Sequence, residues 1–118
     1  GVCSTDMALT RGYMNFRGVL GHEFAGVVKQ GPVEWVGQRV VGEINIACGK
    51  CDLCLMGIST QCRNRYTLGI SGDYDGAFAD EFKLVVRNLH RSSDNVSDIE
   101  AVFTEPLAAA CEIWQQVH

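Results

Sequence analysis

Residues 47–62 read ACGKCDLCLMGISTQC and hold four of the chain's six cysteines, Cys48, Cys51, Cys54 and Cys62, spaced C-x2-C-x2-C-x7-C. Short C-x2-C steps let a tight loop wrap thiolates around one ion, and four sulfur ligands close a tetrahedral zinc to water and substrate. Gly49 and Gly57 supply turns inside that loop. Four thiolates on one divalent cation leave two negative charges, and Lys50, Arg63 and Arg65 are the cations nearby in sequence to offset them. Two other uses of the cluster compete. Disulfides suit an oxidising compartment, but no basic and apolar leader is visible, so a reducing, cytoplasmic setting is expected. Iron–sulfur proteins also use C-x2-C-x2-C, but their fourth cysteine follows after three residues and precedes proline. Here it follows after seven and precedes Arg63. A structural zinc is the favoured occupant.

The bulk numbers frame that reading. The chain has 118 residues, 47% hydrophobic and 20% charged, with net charge -4, the balance of an ordinary globular domain. No basic stripe for phosphates is present, so nucleic acid is not expected as a partner. Apolar runs such as VFTEPLAAAC are short and interrupted, so no membrane span is expected. Residue 1 is Gly, and Cys3 already belongs to a dense polar motif. The chain therefore reads as a segment of a longer one.

β-Branched runs with alternation, FAGVVKQ and GQRVVGEINI, bounded by Gly31, Pro32 and Gly42, are expected strands. GAFADEFKLVV follows the turn pair Asp75-Gly76 and is a third strand candidate. From Ser97 the texture changes: Ser97 and Glu100 form a capping box ahead of good helix formers. Pro106 suits a first helical turn but not a helix interior. A short helix to about Thr104 and a second from near Pro106 to the end at His118 are expected, on an otherwise mainly β framework.

Two further stretches carry the residue types of an open metal site. GVCSTD offers Cys3, Thr5 and Asp6, and LGHEFAG offers His22 and Glu23. Glu105, in TEPLA, stands where a helix begins. A catalytic zinc needs three protein ligands and an exchangeable position. Each residue alone has an ordinary reading: a buried small thiol, a satisfied surface pair, an acid beside a helix N-terminus. Together they form a set.

GVCSTD, GHEFAG, the four-cysteine cluster, DGAFADEF and EPLA occur in the order seen in zinc-dependent medium-chain alcohol dehydrogenases, and nearly the whole chain resembles that family's GroES-like catalytic domain. The resemblance implies a partly open β-barrel with a structural zinc lobe and C-terminal helices. It divides the chain into residues 1–104, a catalytic domain without its opening strands, and residues 105–118, the start of a helix leading to a cofactor-binding domain outside this chain. It implies that Cys3, His22 and Glu105 are ligands of a catalytic zinc, as in polyol and threonine dehydrogenase-like members. Glu23 would be the acid beside that zinc, able to enter its coordination. Thr5 would hydrogen-bond the substrate oxygen and start a proton relay, and Asp6 would orient His22. Cys48, Cys51, Cys54 and Cys62 would hold the structural zinc. Cys111, the other candidate third ligand, ranks below Glu105.

The implied reaction is oxidation of a small alcohol or polyol by hydride transfer to NAD(P) in a longer, homo-oligomeric parent. This chain departs from the family at Ala8, where many members place a histidine that extends the relay. It also contains no G-x-G-x-x-G dinucleotide fingerprint, so the Rossmann domain is not expected within it, and the isolated chain is expected to be inactive. Tyr13 and Phe16 are candidates for a pocket wall, and Trp35 and Trp114 for core or interface. A non-catalytic zinc module and an iron–sulfur electron carrier are the alternative functions.

Overall fold

A computed structural model describes residues 1–72 and 74–117. Its centre is β2 (Arg39–Gly42), where the apolar pair of RVVG is buried on both faces, Val40 and Val41 at 4% and 7% exposure. β1 (Gly26–Val27) pairs with one edge of β2 and β5 (Leu89–Arg91) with the other, both antiparallel, with Val40 opposite Gly26 and Arg91. A second antiparallel pair joins β3 (Asn45–Ile46) to β4 (Tyr66–Thr67). Ile44, Ile46, Ala47 and the fully enclosed Leu68 build the core around it. The expected β framework is present, though its strands are short and much of it is extended chain held by single hydrogen bonds.

Several elements differ from the sequence reading. GQRVVGEINI divides into β2 and β3, because Glu43 turns the chain: its Oε1 accepts from the backbone N–H of Asn45 at 2.6 Å. GAFADEFKLVV forms no strand. Its first residues lie against segment 19–21 instead, with Gly76, Ala77 and Phe78 N–H groups donating to Val19, Gly21 and Leu20 carbonyls at 2.7, 2.8 and 2.9 Å. Asp75 makes no hairpin there, and its Oδ1 accepts the Val19 N–H at 2.8 Å.

The helices follow their caps. α1 (Ser4–Leu9) was not expected; it starts at Cys3, whose backbone N–H is capped by Asp6 Oδ2 at 2.9 Å. α2 (Asp52–Leu55) lies inside the cysteine loop. The Ser97–Glu100 capping box starts α3 (Asp98–Ala101), as expected, but α3 ends before Thr104. α4 (Thr104–Val117) begins at Thr104, with Pro106 in its first turn, where no N–H is needed. The expectation for His118 lies outside the described residues. α4 touches β2 and so brings Glu105 toward the centre of the chain. Among the described residues no helix is long and apolar enough to cross a membrane.

Candidate metal centres

The four cysteines converge. Cys51 Sγ lies 3.5 Å from Cys54 Sγ and 3.9 Å from Cys62 Sγ, and Cys48 Sγ lies 4.0 Å from Cys54 Sγ. A tetrahedral ion with thiolate bonds of about 2.3 Å sets its sulfurs about 3.8 Å apart, so these thiols stand where one ion can hold all four. None is in a disulfide. The loop is pre-shaped by its own backbone: Lys50 and Cys51 N–H groups aimed at Cys48 bring its thiol down to about 6, while burial, assisted by neighbouring Cys51, pushes Cys54 up to about 12. The Cys54 N–H, chiefly, lowers Cys51. A cluster poised between thiol and thiolate suits a metal that takes all four as thiolates.

The expected offsetting cations are only partly in place. Arg63 pairs with Asp52 at 2.9 Å, and beyond that bond its charge also faces Cys51. Arg65 turns to the Thr60 carbonyl. Arg87, which no motif singles out, donates to the Ala47 carbonyl immediately before Cys48.

The second cluster joins residues far apart in the chain. Cys3 Sγ and His22 Nε2 are 3.1 Å apart, and the ligand atoms of Cys3, His22 and Glu23 all lie within 4.8 Å of one another. A tetrahedral zinc would set such a sulfur and nitrogen about 3.6 Å apart, within reach of a small adjustment. The Thr5 N–H donates to Cys3 Sγ at 3.2 Å, so α1 presents its first turn to the thiol. The other face of His22 meets Asp6: Nδ1 lies 3.5 Å from Asp6 Oδ1, both side chains 3% exposed. Neither atom has a hydrogen-bond partner, so the two buried groups face each other at ion-pair distance. A carboxylate behind an imidazole orients the ring so that its other nitrogen faces a metal.

His22 is held there by glycine. Gly69, at φ +63°, packs so closely on Gly21 that a Cβ would stand 2.4 Å from the Gly21 carbonyl oxygen. No other residue type fits that approach. Glu105 lies outside the close trio but near it: burial pushes its carboxyl above the usual range, with His22 opposing and Glu23 and Glu43 adding to the shift. Cys111 is exposed on α4 and does not belong to the cluster of Cys3, His22 and Glu23.

The remaining candidates divide. Phe16 lines an open cleft of about 430 Å³ with Asn15, Arg17 and Ser71, whereas Tyr13 is exposed. A second cleft, about 410 Å³, lies between Val19 and residues 74–83. No residue of the Cys3–His22–Glu23 trio lines either cleft. Trp35 carries the Arg91 guanidinium 4.6 Å from its ring centre, while Trp114 is 67% exposed and is not a core residue. Asn88, 4% exposed, is a buried anchor that sequence reading missed. A lone Asn after the β-branched pair Val85-Val86 has no pattern to betray it.

Known proteins resemble this chain in sequence and in fold. Residues 1–94 match the family model described as the alcohol dehydrogenase GroES-like domain. The chain is 36% identical over 119 aligned positions to a 2-dehydro-3-deoxy-L-galactonate 5-dehydrogenase of Pseudoalteromonas atlantica, covering 94% of this chain and 34% of that protein. It is 41% identical over 96 positions to an L-threonine 3-dehydrogenase of Sinorhizobium medicae, covering 78% and 27%. Among solved structures, a short chain alcohol dehydrogenase from E. coli CFT073 complexed with the cofactor NADH superposes with TM-score 0.82 at 33% identity, over 90% of this chain and 32% of that one. Alcohol dehydrogenase TADH from Thermus sp. ATN1 gives 0.77 at 30%, over 87% and 33%. The chain thus spans about a third of the length of the relatives it matches. It belongs to the alcohol dehydrogenase GroES-like domain family.

Proposed function

We propose that this chain is the substrate-side, metal-holding part of a zinc-dependent dehydrogenase acting on a small alcohol or polyol with NAD(P) as hydride acceptor. The observation that carries the reading is the 3.1 Å approach of Cys3 Sγ to His22 Nε2, with the carboxylate of Glu23 beside both. Cys3, His22 and Glu105 would hold the catalytic zinc, with Glu23 able to join them. Cys48, Cys51, Cys54 and Cys62 would hold the structural zinc. Bound at the first site, zinc supplies the Lewis acidity that makes an alcohol easier to deprotonate.

The chain's own groups do the rest. Asp6 holds His22 in the orientation that presents Nε2. Thr5 Oγ1, two residues from Cys3, would accept the alcohol proton as its own hydroxyl proton passes on, and with Ala8 at the next relay position that proton leaves through water, a ribose hydroxyl or another group. Cys48, Cys51, Cys54 and Cys62 staple the lobe and take no part in the chemistry. Residues 1–104 form the catalytic domain in this reading, and residues 105–118 lead toward a cofactor-binding domain. No residue described here is assigned to NAD(P).

The relatives' activities, a threonine 3-dehydrogenase and a deoxygalactonate 5-dehydrogenase, support a hydroxyl on an interior carbon of a small polar molecule. Six unpaired cysteines support a reducing, cytoplasmic setting, and the longer enzyme would be a homo-oligomer. A chimera in which this chain replaces the matching segment of the Pseudoalteromonas relative tests the reading. NAD(P)-linked oxidation of small secondary alcohols, abolished by Cys3→Ser, is expected. A folded, zinc-loaded chimera that binds NAD(P)H and oxidises nothing would make the chain a non-catalytic zinc module.

A further inference from the structure

Two consecutive residues of the turn Val86–Asn88 reach across to the segment that feeds the cysteine loop. Asn88 Nδ2 donates to the carbonyls of Glu43 at 2.7 Å and Asn45 at 3.0 Å, and the Asn88 carbonyl accepts the Glu43 N–H at 2.8 Å. Arg87 Nη2 donates to the carbonyl of Ala47. The carbonyls of residues 43, 45 and 47 are thus gripped in succession along one edge of extended chain. The opposite edge belongs to the β4 side, where Leu68 N–H donates to the Ile44 carbonyl at 3.0 Å. The next residue after this doubly held segment is Cys48, whose N–H donates to Cys62 Sγ at 3.2 Å.

Arg87 does more than hold a carbonyl. Its Nη1 lies 3.6 Å from where a Cβ would stand on Gly49, so the guanidinium rests on the first Cys48–Cys51 knuckle. Four thiolates on a divalent ion carry surplus negative charge, which an adjacent cation stabilises. Two of the cations local to the loop are engaged elsewhere: Arg63 pairs with Asp52, and Arg65 donates to the Thr60 carbonyl. We infer that Arg87 is a positioning residue of the four-cysteine site, strapping the Cys48 arm and offsetting the charge of the bound ion from a place in the chain 40 residues away. This rests on the reading of the lobe as a zinc site.

The test is zinc release from the zinc-loaded chain into excess chelator, followed for wild type, Arg87→Met, Arg87→Lys and, as a distant control, Arg17→Met. Cobalt loading of each variant reports the thiolate ligands through their charge-transfer absorption. Arg87→Met is expected to release the lobe's zinc on the order of tenfold faster. Arg87→Lys, which keeps a charge and one donor, is expected within about threefold of wild type, and Arg17→Met is expected at the wild-type rate. Release from Arg87→Met at the wild-type rate overturns the proposal, and so does an Arg87→Lys variant as fast as Arg87→Met. Should Arg87→Met not fold, Arg87→Gln takes its place in the same comparison. A wild-type chain that gives no cobalt–thiolate absorption would instead defeat the zinc reading itself, and the Arg87 role with it.

Discussion

Asp6 Oδ1 stands 3.5 Å from His22 Nδ1, in a place where both side chains are 3% exposed, while Asp6 Oδ2 accepts the Cys3 N–H at 2.9 Å. One carboxylate therefore steers the imidazole of one candidate ligand and anchors the backbone of another. Asp6→Ala is expected to weaken metal binding at the Cys3–His22 site by about ten- to a hundredfold. Asp6→Asn, which keeps an acceptor for the Cys3 N–H but not the charge behind His22, is expected to fall between. Zinc titration against a competing chelator measures both.

The approach of Gly69 to Gly21 sets where His22 sits. Gly69→Ala would push a Cβ to 2.4 Å from the Gly21 carbonyl at a backbone φ of +63°. A loss of about 2–4 kcal/mol in unfolding free energy is expected, from overpacking and left-handed strain together. Gly37, at φ +82° with nothing within 4 Å, is the matched control. Gly37→Ala is expected to cost only about 1 kcal/mol. Urea unfolding of the two variants separates steric from conformational cost.

Glu105 gives a pH dependence of definite sign. Burial raises its folded-state carboxyl above the ordinary value of 4.5, with Glu23 and Glu43 adding and His22 opposing. A raised acid binds its proton more tightly when folded, so the stabilisation is full below pH 4.5 and is lost as pH rises through the folded value. At neutral pH the ionised carboxylate is then a small cost to the metal-free chain. Glu105→Gln is expected to raise the metal-free Tm at pH 7 by no more than about 2 °C, since solvent screens a half-buried group. The same variant should bind metal more weakly at the Cys3–His22 site. Thermal melts with and without zinc check both signs.

Much of the chemistry was legible because its residues are rare and closely spaced. The four cysteines lie in one short loop, and the Ser97–Glu100 box starts α3 as its pattern requires. Cys3 and His22 are 19 apart in sequence, and no periodicity joins them. Their pairing came from order of motifs, not from spacing. What remained hidden was long-range and carried by backbone. GAFADEFKLVV alternates like a strand, yet its N–H groups go to the carbonyls of Val19, Leu20 and Gly21 in an irregular crossing. Arg87 and Asn88 look like an unremarkable polar pair until the fold sets them against residues 43–47.

The central claim is that this chain carries two separate metal centres. Elemental analysis after gel filtration, on wild type and on Cys54→Ser, tests it most directly. Two zincs per chain, falling to one in the variant, are predicted. A single zinc lost with Cys54, or iron in place of zinc, would contradict it.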